Sequence, residues 1–123
     1  MDLQIPWHPA TFAAFDVETT GRDAATSRVI EVGIARFEAG EVVERYQQLI
    51  NPEVELPPEI TEITGIEPEQ LVGQPVFADV VEEILTRLTG HPILAYNAEF
   101  DLGMLRAEFE RLGRSETLPV CMD

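Results

Sequence analysis

The stretch Phe12-Ala13-Ala14-Phe15-Asp16-Val17-Glu18-Thr19-Thr20-Gly21 decides the reading of this chain. It opens as an apolar run and turns polar at its end, as a buried strand does where it emerges at a sheet edge. Asp16 and Glu18 stand at i and i+2, so a strand sets both carboxylates on one face, roughly 7 Å apart along the backbone. Two acids at the end of a buried strand are costly unless something positive lies between them. A hard divalent cation such as Mg²⁺ or Mn²⁺ is the simplest compensation, because carboxylate oxygens suit it. Alone, such a pair is commonly just two solvated acids at a strand end.

Outward from this strand, residues 22–28 form a loop and residues 29–37 a second strand rich in Val, Ile and Phe. Ala39-Gly40 supplies a tight turn into a third strand at 42–50, which predicts a hairpin. The stretch 51–75 holds five of the nine prolines and reads as loop, with short helical turns at 58–63 and 68–72. Val80, Val81, Ile84, Leu85 and Leu88 recur at helical spacing within 76–89, and Gly90 and Pro92 close that helix. Residues 93–96 form a short buried strand. Residues 99–112 form a helix with Phe100, Leu105, Phe109 and Leu112 on its apolar side and Gly113 beyond its end. Leu118–Met122 is a short apolar segment. Two hairpin-linked strands followed by a helical crossover predict an α/β fold with a mixed sheet: three antiparallel strands, then a parallel one, flanked by helices.

Composition bounds the chemistry. The 123 residues fit one domain, with 45% apolar and 25% charged residues, an ordinary globular mix. Residues 1–10 read as an irregular lead-in and 11–123 as the domain. No apolar run exceeds four residues, so no membrane span is expected. A single cysteine, Cys121, allows no internal disulfide, and the cytoplasm is the expected location. The formal net charge is −15, and all eight cations are arginines. Such a surface repels duplex DNA at long range, so any contact with nucleic acid is local and helped by bound cations.

A third acid, Asp101, follows Asn97-Ala98-Glu99-Phe100 at the exit of the 93–96 strand. Ligands gather at the carboxyl edge of an open α/β sheet. With strands 12–18 and 93–96 as parallel neighbours, Asp101 on the first helical turn faces Asp16, and the Asn97 amide can tie down the turn or position a substrate. Alone, Asp101 is an ordinary helix-start acid.

Taken in order, FDVETTG, EVGIARF, LINP, ITGI and NAEFD resemble the DEDD-type 3′–5′ exonucleases, the superfamily of the proofreading subunit of bacterial DNA polymerase III, ribonuclease T and oligoribonuclease. The resemblance is strongest to the proofreading domains and covers about residues 11–123. It implies a ribonuclease H-like fold and metal-dependent hydrolysis of phosphodiester bonds at the 3′ end of single-stranded DNA or RNA. It implies two Mg²⁺ or Mn²⁺ ions flanking the scissile phosphate, with Asp16 bridging them, Glu18 completing one shell and Asp101 acting directly or through water. By the same resemblance, Val17, Thr19, Thr20 and Gly21 approach the last nucleotide. Glu59, Thr64, Gly65 and Ile66, within the Pro57–Ile66 loop, meet its sugar and base, and Asn97 assists.

The sequence also departs from that family. The third motif, a His followed five residues later by an Asp, does not occur in these 123 residues. The expected general base is therefore missing; His8 precedes the first strand and His91 sits in a turn. Tyr96 stands where the family often has His. With Asp123 as a helix N-cap and nothing after it, the domain reads as incomplete at its C-terminus, cut before the third motif. Expectations follow: weak activity or none from this piece alone, self-association through the exposed truncated edge, and a DNA polymerase subunit as a partner. The alternative is a non-catalytic module that holds a nucleotide end or a polymerase while keeping the fold.

Overall fold

The computed structural model describes residues 11–90, 92–95, 97–114 and 121–122, the last two by backbone alone. Strands β1 (Thr11–Thr19), β2 (Val29–Glu38) and β3 (Glu41–Leu49) come first. Helices α1 (Pro58–Thr64), α2 (Pro68–Leu71) and α3 (Phe77–Leu88) follow. Strand β4 (Ile93–Ala95), helix α4 (Ala98–Arg111) and strand β5 (Cys121–Met122) complete the order. The expected elements are all present within a residue or two at their ends. The apolar segment at 118–122 contributes a further strand, β5, at 121–122. Residues 1–10, His91, Tyr96, 118–120 and Asp123, on which several sequence expectations rest, lie outside the described residues.

One five-stranded sheet runs in the order β3-β2-β1-β4-β5. β1–β2 and β2–β3 are antiparallel, while β4 lies parallel to β1 and β5 parallel to β4. The β2–β3 loop is two residues, with Glu38 opposite Glu41. Ala39 and Gly40 both have positive φ, 52° and 85°. That is the left-handed pair that a right-twisted hairpin demands, and glycine meets it without the strain Ala39 carries.

Alternation along β1 divides its side chains cleanly. Ala13, Phe15 and Val17 are buried against the helices, together with Val32, Ile34 and Ile93 from neighbouring strands. Helix α3 adds Phe77, Val80, Val81, Ile84 and Leu88, the stripe its spacing predicts. Helix α4 differs from expectation. Its buried residues include Asp101, Leu102, Met104, Leu105, Glu108 and Phe109. Leu112, expected on the apolar side, is instead exposed beyond the last helical turn. Two carboxylates within the buried stripe blur the apolar pattern and hide its true face. The helix ends in a Schellman motif: Gly113 (φ 72°) donates to the Glu110 carbonyl and Arg114 to that of Phe109. A smaller cluster of Ile30, Leu56, Ile66 and Leu71 fixes the proline-rich 51–75 segment on β2.

Ile84 is fully buried between helix and sheet. Ile84→Ala is expected to destabilise the chain by about 2–5 kcal/mol, read as a lower urea midpoint with unchanged slope.

Candidate active site

β4 ends beside the middle of β1, with Ala95 opposite Phe15. The chain therefore enters α4 alongside the carboxyl end of β1, where the next two even positions are Asp16 and Glu18. This is the crevice outside adjacent parallel strand ends that open α/β sheets use for ligands. A register shift at Glu18/Thr19 marks the end of the β1–β2 ladder, opposite Val29–Glu31. Bulges recur beside active sites because they re-aim side chains.

The three predicted acids differ in environment. Asp16 is exposed and lines a depression of about 710 Å³ on the sheet face away from α3 and α4, beside Gly33, Ala35, Arg45 and Leu94. Gly33 pairs directly with Asp16 and leaves its flank open. Glu18 is partly buried, and its pKa is raised by burial, then by the charges of Asp16 and Glu31. Asp101 is only 2% exposed. Its pKa is pushed up to about 6, first by burial and then by Asp16, with a smaller contribution from Glu18; hydrogen bonds from the Asn97 and Val17 backbone oppose the rise. Its Oδ2 has no hydrogen-bond partner among the described residues.

A buried carboxylate oxygen with no donor is a rare and costly feature. The same electrostatics that raise Asp101 tie it to Asp16 and Glu18, so the three acids share one field. Among the described residues no three His, Cys, Asp or Glu side chains are gathered into a formed cation cage. The structure shows three carboxylates coupled through their charges, with an unmet demand for positive charge at Asp101.

The expected substrate-facing residues divide. Val17 turns its side chain into the core and offers only its backbone. The Thr19 hydroxyl donates to the Gly21 carbonyl, and the Thr20 hydroxyl accepts the Arg28 N–H at 2.9 Å. Gly21 is packed so closely that a Cβ there would lie 2.8 Å from the Ser27 hydroxyl. Asn97 is exposed at the start of α4 with no side-chain cap bond. In the 57–66 segment, Glu59 is exposed and Gly65 takes a left-handed conformation that ends α1. The Thr64 hydroxyl is engaged with Ile60 and Ile66 backbone groups. The Ile66 side chain packs inward against Ile30, Leu56 and Leu71, which leaves its backbone, not its side chain, to meet a base.

One group escaped the sequence reading. Glu108, 1% exposed, receives the Arg28 guanidinium on both oxygens at 3.0 Å and the Val29 N–H at 2.9 Å. Arg111 stands 3.5 Å from the same carboxylate and donates to the Ala24 and Ser27 carbonyls. The signal was present in the spacing: Asp101, Met104, Leu105 and Glu108 follow i, i+3, i+4, i+7.

Protonation of Asp101 links this site to stability. Its folded pKa lies above the unfolded value, so the folded chain keeps a proton that the unfolded chain releases; stability falls as pH rises from about 4 to about 6. Thermal melts in metal-free buffer are expected to show that fall, and Asp101→Asn to flatten it and raise Tm at neutral pH. A variant with an unchanged slope would contradict the burial of this charge.

Comparison with known proteins agrees with the geometry. Residues 13–121 match the model of the exonuclease family RNase_T. The chain is 34% identical over 115 residues to the DNA polymerase III PolC-type of Halalkalibacterium halodurans, covering 94% of this chain and 8% of that protein. It is 37% identical over 97 residues to the DNA polymerase III subunit epsilon of Treponema pallidum, covering 79% of this chain and 45% of the subunit. The chain thus spans less than half the length of either relative. A product-bound exonuclease I superposes with a TM-score of 0.81 at 24% identity over 92% of this chain and 29% of its own. An E. coli exonuclease I in complex with a 5cy-dA13 oligonucleotide gives 0.77 at 26% identity over 85% of this chain and 25% of its own. Motif order, sheet topology and these matches together place the chain in the RNase_T exonuclease family, on the ribonuclease H-like fold its sequence predicts.

Proposed function

We propose that residues 11–123 form a 3′–5′ exonuclease domain that acts on the 3′ end of single-stranded DNA, in a proofreading-like role in replication or repair. The observation that carries this reading is the buried Asp101 oxygen, without a partner among the described residues, in the field of Asp16 and Glu18 at the carboxyl edge of β1. In the reaction, water attacks the terminal phosphodiester phosphorus and the bond to the 3′ oxygen of the preceding nucleotide breaks, releasing a nucleoside 5′-monophosphate. Asp16, Glu18 and Asp101 would hold two Mg²⁺ or Mn²⁺ ions, which supply an activated water and offset phosphate charge when bound. The Val17 and Asn97 backbone orients the Asp101 carboxylate. The Thr19–Gly21 turn, with Glu59, Thr64, Gly65, the Ile66 backbone and Asn97, would receive the terminal nucleotide.

DNA is favoured over RNA because the relatives are DNA polymerase III chains and one neighbour is bound to a deoxyadenosine oligonucleotide. The same relatives support a DNA polymerase subunit as the proposed partner, with the cytoplasm as the proposed setting. Among the described residues no helix is long and apolar enough to cross a membrane. A short single-stranded end needs few contacts, so local cation binding can overcome the −15 charge.

The 123 residues contain no His five positions before an Asp. Without that general base, turnover by this chain is expected to be lower by about 10²–10⁴. The same absence supports a second reading, a module that grips a nucleotide end without cleaving it. Both are tested by Mn²⁺ titration and by long incubations with 5′-labelled single-stranded DNA and its RNA counterpart. Slow Mn²⁺-dependent shortening of DNA, lost in Asp16→Ala, is the expected result. Binding without any shortening selects the second reading. No Mn²⁺ binding at millimolar concentration, or equal activity in Asp16→Ala, defeats the metal site.

A further inference from the structure

Asp101 and Glu108 lie seven residues apart on one face of α4, so a single helix carries both buried carboxylates. Asp101 meets the end of β1. Glu108 meets the far side of the loop that begins there. That loop runs from the Thr19–Gly21 turn back to Val29, and its own bonds are local: Asp23 accepts from Ala25, Thr26 and Ser27, and Thr20 pairs with Arg28. None of those bonds fixes the loop to the helices. Glu108 and Arg111 do, through Arg28, the Val29 N–H and the carbonyls of Ala24 and Ser27. Gly21 rests against Ser27, so the grip extends to the turn itself.

Resting on the exonuclease reading above, we propose that Glu108 is a positioning residue. It locks the 20–28 loop onto α4, so the turn that receives the terminal nucleotide and the helix that carries Asp101 keep one fixed relation. A forked guanidinium–carboxylate pair with its carboxylate buried and its guanidinium half-buried suits this task, because it specifies direction as well as distance. A loop held in its binding shape binds more tightly because less ordering remains at the moment of contact.

The test compares the wild-type chain with Glu108→Gln, Arg28→Lys and Arg111→Gln. Deoxythymidine 5′-monophosphate is titrated in the presence of Mn²⁺, Mn²⁺ is titrated alone, and amide hydrogen exchange is followed across 20–28. Glu108→Gln is expected to weaken nucleotide binding about tenfold, with Mn²⁺ affinity changed less than about twofold. Loop amides should exchange faster while those around Leu105 hold. Arg28→Lys keeps the charge but not the fork and should also weaken nucleotide binding. Arg111→Gln, on an exposed residue, tests the same loop even if Glu108→Gln does not fold, and should show a smaller loss in the same direction. Folded variants with lowered Tm but wild-type nucleotide affinity would reduce Glu108 to a structural ion pair and overturn the proposal, leaving the exonuclease reading intact. A wild-type chain that binds Mn²⁺ but no nucleotide overturns both.

Discussion

The parallel pairing of β4 with β1 is the constraint on which the site depends. Among the described residues three pairs make that contact, from Ala13–Ile93 to Phe15–Ala95. Their register decides where α4 begins, and the start of α4 decides what Asp101 faces. A slip of one residue would turn β4's Ile93 and Ala95 away from the core and carry α4 with them. Burial of those two side chains therefore secures a geometry made of charges. Apolar packing supplies the free energy that tolerates three carboxylates in one field.

Much of this was legible because period-two and period-3.6 patterns are strong where one face is apolar. The hairpin, the proline-rich connection and α3 all follow from such patterns. The Asp16–Glu18 pair was legible because a strand cannot separate i from i+2. Helix α4 was read less well: its buried face mixes Leu102, Met104, Leu105 and Phe109 with Asp101 and Glu108, and an apolar pattern cannot register an acid satisfied by an arginine eighty residues away in sequence. Ile66 shows the converse. A side chain in a loop motif reads as substrate-facing until a satellite core claims it. The two-residue strand β5 is too short for periodicity to define.

The two buried carboxylates of α4 differ in how far the described residues meet their charge. Glu108 has its oxygens filled by Arg28 and the Val29 amide, so its charge is met within the fold. Asp101 has an oxygen with no donor among the described residues and like charges nearby, so the groups described around it leave its charge unmet. Position on the helix does not distinguish them. The difference lies in the completeness of their hydrogen bonding, which is why burial alone is a poor guide to role and unsatisfied burial a better one.

The outer strand of the sheet has its own consequence. Among the described residues nothing pairs with the outer edge of β3, beside exposed Val42 and Val43, the sort of ledge onto which another extended chain could zip. Glu41, Glu44 and Arg45 interrupt that ledge with charge. In a molecule with a net charge of −15, a second copy laid alongside meets a surface of like charge. That charge guards the margin against fibril-like stacking.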